Sequence, residues 1–394
     1  MNNSTLKTQH STLAEALAGQ LAVLEARGLK RERRVLQSPQ AAHVTVDGRE
    51  FTAFCSNDYL GLAAHPELVR AVQEGAGRYG AGAGASHLIL GHGMAHHALE
   101  QALSRFVELP RALLFSSGYL ANIGVVTALV GRGDAVFADK LNHASLNDAA
   151  LLSRAGFRRY PHLDLNALEK LLAASAARRK LVVTDAVFSM DGDIAPVSEL
   201  LALCERYDAW LMLDDAHGFG VLGHEGRGVL SHFGVRSPRV IYMATLGKAA
   251  GVFGAFVAGA DEVIETLVQR ARSYIYTTAT PPLLAHALLK SLELIEREQW
   301  RRDHLANIIS ELKLGVAEIR WNLMPSDTAI QPLVIGANAD AVALSEQLAQ
   351  RGLLVPAIRP PTVPQGTARL RISLSAAHSA DDVRRLVGAL DELQ

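Results

Sequence analysis

A chain of 394 residues, 49% of them apolar, is too long for one small core and has enough apolar mass for a large one. Its 39 Lys and Arg balance 40 Asp and Glu to a net charge of −1, which argues against a nucleic acid or other polyanion as the main partner. Cys55 and Cys204 are the only cysteines, too few for a disulfide scaffold or a CxxC metal site.

In chain order, Met1–His10 is polar and lacks the apolar core of a signal peptide. No run further on spans a membrane without a charge, glycine or break, so the chain reads as cytoplasmic with no membrane partner. Leu13, Leu17, Leu21 and Leu24 recur at helical spacing and predict an amphipathic helix within 11–30. Val44–Val46, Asp47-Gly48 and Phe51–Phe54 read as a hairpin with a type I′ turn.

From about 60 to 285, short apolar runs alternate with helical patterns. Strands are expected at Ala112–Phe115, Ala135–Phe137, Leu181–Thr184, Trp210–Leu213, Val240–Ala244 and Ala255–Ala258, with helices at 120–130, 145–155, 165–178 and 198–207. That alternation is the signature of an α/β domain with a mostly parallel sheet. Pro281-Pro282 opens a helical segment to about 320. Ile330–Ile335, a helix over 340–351, Leu353–Ala357, Ala368–Leu374 and a helix over 379–393 then read as a smaller α+β lobe. The expected divisions are 1–59 (helix and hairpin), 60–285 (large α/β domain) and 286–394 (small C-terminal domain).

Ligands of open α/β sheets bind at the carboxyl ends of the strands, and four of these strands end in chemically apt residues. Ala112–Phe115 runs into Ser116-Ser117-Gly118-Tyr119, which supplies either a plain helix cap or free N–H groups and a dipole for a phosphate. Leu181–Thr184 leads into Asp185-Ala186-Val187-Phe188-Ser189-Met190-Asp191-Gly192-Asp193, which alone could be an acidic surface turn. Trp210–Leu213 ends in Asp214, with His217 three residues on; a carboxylate there can keep a pyridine nitrogen protonated. A metal reading of Asp214, Asp215 and His217 lacks a second cluster. Val240–Ala244 delivers Thr245 and Lys248, a lysine that is either solvated or, among apolar neighbours, a nucleophile with a lowered pKa. His143 follows another strand and either lies against a ring face or caps the next helix.

The stretch Gly80-Ala81-Gly82-Ala83-Gly84 through Gly91-His92-Gly93 is not preceded by a clear strand, so it reads as a close-packed turn letting backbone approach a ligand or a neighbouring subunit rather than as a nucleotide loop. His92, His96 and His97 have no carboxylate or Cys partner at helical spacing beyond Glu100, and read as one packed and two exposed imidazoles with no metal.

Ser56-Asn57-Asp58-Tyr59-Leu60-Gly61-Leu62, the Ser-Ser-Gly-Tyr turn, Asn142-His143-Ala144-Ser145, Val187–Asp193, Asp214-Asp215-Ala216-His217-Gly218, Thr245-Leu246-Gly247-Lys248 and Ile358–Pro364 together resemble the α-oxoamine synthases, from about residue 12 onward. These are fold-type I pyridoxal-phosphate transferases, homodimers with shared active sites. The resemblance implies a large domain with a mostly parallel seven-stranded sheet and a smaller C-terminal α+β domain. It implies Lys248 as covalent anchor and carrier of the Cα proton, Asp214 on the pyridine nitrogen, His217 on the ring hydroxyl and His143 stacked on the ring. Ser189 would sit by the cofactor, Gly118, Tyr119 and Thr245 at its phosphate, and Thr277 and Thr278 at the phosphate in the partner subunit. Arg371 matches the arginine that takes the substrate carboxylate, and Arg31 and Thr362 match positions facing the acyl substrate. The stretch Ile358–Arg371 looks like that of members joining L-alanine to a pimeloyl thioester of coenzyme A or acyl carrier protein; members using glycine and another acyl-CoA are the alternative. His87, Leu90 and His92 depart from the family pattern.

Overall fold

The apolar runs expected as strands are buried on both faces, as a parallel sheet covered by helices requires. The computed structural model describes residues 12–27, 29–31 and 33–394; the Met1–His10 stretch lies outside the described residues. An N-terminal hairpin pairs β1 (His43–Val46) with β2 (Arg49–Ala53). Asp47 and Gly48 both have positive φ (49° and 77°), as a type I′ turn demands.

The central sheet contains β3 (Arg111–Phe115), β4 (Ala135–Asp139), β5 (Gly156–Tyr160), β6 (Lys180–Asp185), β7 (Trp210–Asp214), β8 (Val240–Thr245) and β9 (Ala255–Gly259). Their order is β3-β9-β8-β7-β6-β4-β5. Only β9 runs against its neighbours, so β3, β4, β6, β7 and β8 all point their carboxyl ends the same way. Side chains alternate between two cores: Leu211, Leu213 and Tyr242 face one, Met212, Ile241 and Met243 the other.

The edge strand β5 was not among the individual strands expected. Its Arg158 and Arg159 are exposed, and an edge needs no continuous apolar run. Helices Pro66–Tyr79 and Met94–Phe106 also join the expected set. The helical segment after Pro281 is two helices, Pro282–Arg297 and Gln299–Gly315, broken at Glu298 (φ −101°, ψ 58°). Glu298 there takes up Arg301 at 2.7 Å and Arg297 at 2.9 Å, a tertiary tie that local propensity does not signal.

The C-terminal part forms a four-stranded antiparallel sheet of β10 (Asn322–Leu323), β11 (Ile330–Gly336), β13 (Ala357–Ile358) and β14 (Ala368–Ser373), in the order β10-β11-β14-β13. The expected strand Leu353–Ala357 is split. Its first half, β12 (Leu353–Leu354), pairs parallel with β2 of the hairpin, while Ala357 belongs to β13. Pro356 stands between and has no N–H to continue a ladder.

The helix expected from the leucine spacing is present at Leu13–Ala26 and begins at Thr12 with a capping box to Glu15, but it buries none of its residues within the chain. In the glycine stretch a Cβ on Gly91 would collide with the Ala85 carbonyl, while Gly80, Gly82 and Gly84 touch nothing within their own chain. His96 is buried and His97 exposed, but His92 is half-buried because it meets His87 Nδ1 at 3.1 Å.

Gly228 (φ 90°) lies against the buried Asp215, whose Oδ2 takes the Tyr242 hydroxyl and the Val229 N–H, each at 2.7 Å. A methyl on Gly228 would land on both side chains. Gly228→Ala should therefore cost about 3 kcal/mol or more, combining overpacking with backbone strain. The urea midpoint reads it; an unchanged midpoint would contradict the packing described.

Candidate functional site

Five parallel strand ends converge on one cavity of about 190 Å³, lined by Gly118, Tyr119, His143, Ser145, Asp185, Val187, Ser189, Asp214, Ala216, His217, Thr245 and Lys248. β3 leads through Ser117 to Gly118 and Tyr119. β4 leads to His143, β6 to Asp185 and Ser189, β7 to Asp214 and His217, and β8 to Thr245 and Lys248. The parallel sheet thus gathers residues separated by up to 130 positions at one level.

The Gly118–Leu129 helix starts at this rim, with Ser117 Oγ accepting the Leu120 N–H at 3.3 Å. The N–H groups of the first turn have no carbonyl inside the helix, so this end is electropositive. A Cβ on Gly118 would stand 2.6 Å from Thr245 Cγ2, so only glycine leaves this rim open.

Asp214 is held from behind. Its Oδ2 accepts Asn122 Nδ2 at 2.7 Å and its Oδ1 the Ala216 N–H at 3.1 Å. The same Asn122 donates to Ser145 Oγ at 2.8 Å. β6 and β7 pair Asp185 with Asp214 in register, which places two buried carboxyls side by side. Burial and then Asp214 push the Asp185 carboxyl well up; the His143 N–H, at 3.1 Å, and Lys248 oppose this.

Lys248 Nζ lies 2.8 Å from His217 Nε2. His217 Nδ1 lies 2.6 Å from the Tyr59 hydroxyl, which donates to Asn57 Oδ1 at 3.1 Å. With that phenolic proton spent on Asn57, His217 donates from Nδ1 and accepts from Lys248 at Nε2. Burial lowers the His217 pKa well below the usual imidazole value, and the Lys248 charge adds to the effect. Burial also lowers Lys248 to about 8, against the pull of Asp214 and Asp185. His143 does cap its helix, with its ring on Ser145 Oγ at 2.7 Å, and it lines the cavity as well; the two readings of it are compatible.

Other expected residues lie elsewhere. Arg371 is buried behind Ser189, donating from Nε to the Ser189 carbonyl at 2.6 Å and from Nη1 to Ser373 Oγ at 2.6 Å. Its contacts to Asn57 Oδ1 are long, 3.4 and 3.5 Å. Thr277 is half-buried and Thr278 exposed, bridged to Ser86, and neither lines the cavity of its own chain. Arg31 and Thr362 are exposed and also outside it. Sequence reasoning missed Asp185 as a cavity wall, Asn122 as the support of Asp214, and Tyr59 behind His217. The strand-end position of Asp185 was a usable signal; Asn122 lies mid-helix and carried none.

A family model for aminotransferase class I and II matches residues 49–390. The chain is 70% identical over 367 residues to an 8-amino-7-oxononanoate synthase of Nitrosospira multiformis, covering 93% of each chain. It belongs to the class I and II aminotransferase family, in the branch of the 8-amino-7-oxononanoate synthases. Among solved members, a serine palmitoyltransferase from S. paucimobilis with bound PLP–myriocin has 27% identity and a TM-score of 0.91, covering 97% of this chain and 98% of that one. An 8-amino-7-oxononanoate synthase from Francisella tularensis has 30% identity and a TM-score of 0.75, covering 87% and 97%. The fold is therefore that of the fold-type I pyridoxal-phosphate transferases.

The family cofactor fits the residues present. The cavity offers an electropositive helix terminus beside Thr245, a carboxylate fixed from behind and an amine of lowered pKa. These suit a phosphate, a pyridine nitrogen and an aldehyde respectively.

The lowered pKa has a direct readout. In the cofactor-free protein, reductive methylation of Lys248 followed by mass spectrometry should show a pH midpoint near 8 instead of 10.5. A midpoint shared with surface lysines would refute the desolvated environment.

Proposed function

We propose that this enzyme condenses L-alanine with a pimeloyl thioester, carried on coenzyme A or acyl carrier protein, to give 8-amino-7-oxononanoate, carbon dioxide and the free thiol carrier in biotin synthesis. The observation that carries the reading is the Lys248 amine facing His217 on the wall of the cavity that Asp214 closes. The 70% identity to a relative of that name supports the choice of product.

The cofactor is pyridoxal phosphate, an electron sink for negative charge developing at the amino-acid Cα. Lys248 would hold it covalently and would carry the Cα proton. A pKa of about 8 leaves a useful neutral fraction near neutrality while keeping the amine basic enough to act. Asp214, immobilised by Asn122 and Ala216, would face the ring nitrogen and keep it protonated. His217 would meet the ring hydroxyl, and His143 would lie against the ring face. Ser189 would border the ring, while Gly118, Tyr119 and Thr245 would hold the phosphate. Arg371, whose Nη2 makes a long contact of 3.4 Å with Asn57 Oδ1, would take the alanine carboxylate. Arg31 and Thr362 face the acyl group.

Two copies share each pair of sites, with Thr277 and Thr278 reaching the phosphate of the partner's cofactor. That neither lines the cavity of its own chain supports this arrangement, as does a set of uncovered apolar side chains: Leu13 is 75% exposed, Ile89 79%, Leu90 84% and Tyr276 70%. No described helix is long and apolar enough to cross a membrane, which is compatible with a cytoplasmic site of action. The division near residues 59 and 285 is likewise proposed.

Three measurements test the reading. Titrating the holoenzyme's visible absorption with alanine, glycine and serine should give a response to alanine; a response to glycine alone would transfer the assignment to the glycine-using members. Lys248→Ala should lower turnover by at least about a thousandfold, within the range for loss of a positioned base. Arg371→Ala should weaken alanine binding roughly ten- to hundredfold, the worth of hydrogen bonds to a charged group.

A further inference from the structure

The sequence between β5 and the next helix, Pro161-His162-Leu163-Asp164, takes no part in the chemistry above, yet His162 is a highly constrained imidazole. Its Nδ1 lies 3.0 Å from Asp139 Oδ1 and its Nε2 lies 2.7 Å from Asp193 Oδ2. Its ring stands edge-on to Phe188, 4.4 Å between centroids at 88°. A neutral imidazole donates from one nitrogen only and would leave one carboxylate unmatched; an imidazolium donates from both.

Each of the two carboxylates governs a loop of the site. Asp139, fully buried at the end of β4, also accepts the Leu141 and Leu163 N–H groups at 2.8 Å, and so shapes the turn that delivers His143. Asp193 closes the loop that begins at Asp185, its carbonyl accepting the Phe188 N–H at 3.0 Å. That loop presents Ser189, whose carbonyl receives Arg371 Nε at 2.6 Å, and Asp191, which pairs with Arg369. His162 therefore joins the two segments behind the site, one step removed from the arginine.

We propose that His162 is a positioning residue for the amino-acid end of the site: an imidazolium clipped between Asp139 and Asp193 ties the His143 turn to the Ser189 loop and thereby sets Arg371. This rests on the reading of Arg371 as the carboxylate-binding group.

The electrostatics agree with the geometry. Burial of the ring opposes its charge, but hydrogen bonding to Asp139 and Asp193 and their negative charges outweigh it, raising His162 to about 10. Asp191 approaches within 4.8 Å of the same ring but is engaged by Arg369, and the Tyr160 phenol beside Asp139 is held neutral, chiefly by burial. Because the raised pKa belongs to the folded state, the clip is intact below it and is lost only as pH rises through it.

The test compares holoenzymes. His162→Gln keeps one donor and loses the other, and should retain the cofactor while weakening alanine binding, read by absorption titration, about tenfold. Asp193→Asn keeps an acceptor for Nε2 but removes a charge, lowering the imidazole pKa. Its alanine affinity, relative to the parent at each pH, should fall between pH 7 and 9. A His162→Gln protein that melts lower but binds alanine within twofold of the parent would reduce His162 to a structural residue and overturn the proposal, as would a flat relative profile for Asp193→Asn. A parent that responds to no amino acid would instead overturn the functional reading itself. If the parent answers glycine or serine rather than alanine, that amino acid replaces it, since all share the carboxylate.

Discussion

The structure turns on a charge constraint. Register between β6 and β7 sets Asp185 and Asp214 side by side, buried, where two uncompensated carboxylates would be prohibitively costly. The surroundings resolve this with one cation and several fixed dipoles: Lys248 from β8, Asn122 from the helix after β3, and the N–H groups of Ala216 and His143. Each partner comes from a different strand connection, so the solution exists only when the sheet is assembled.

The same constraint makes Lys248 chemically useful. Burial alone would strip its charge, and the two acids alone would fix it; the balance leaves an amine near 8 rather than 10.5. His217 is kept neutral by the same desolvation and is oriented through Tyr59 and Asn57, so it accepts from the amine rather than competing with it as a cation. Below this layer, Arg371 is reached through backbone, the Ser189 carbonyl, so the substrate end depends on how the Asp185–Asp193 loop is held. The acidic loop that sequence alone could treat as a surface turn is thus internal structure, with Asp185 and Asp191 both bound to groups far away in sequence.

Much of this was legible in the residues. The strands buried on both faces announced themselves as apolar runs, and the residues ending them (Gly118, Asp214, Thr245, Lys248) could be picked out because parallel sheets present function at that edge. The hairpin turn was legible from Asp47-Gly48. β5 was not, since an exposed edge tolerates arginines, and neither was the break at Glu298, which answers to Arg297 and Arg301 rather than to local preference.

By itself the sequence determined the element types, the strand-end chemistry and, through its motifs, the family. Hydrophobic period and residue type are local properties, and a strand end followed by Gly, Asp or Lys carries its meaning wherever the strand lies. Only the tertiary structure decided which groups share a charge. Asn122 mid-helix, Tyr59 before the helix Pro66–Tyr79 and His162 after an edge strand bear no local mark of their roles. Proton affinity depends on burial and on the distance to other charges, and the strand order β3-β9-β8-β7-β6-β4-β5 is what turns positions far apart in the chain into contacts of about 3 Å.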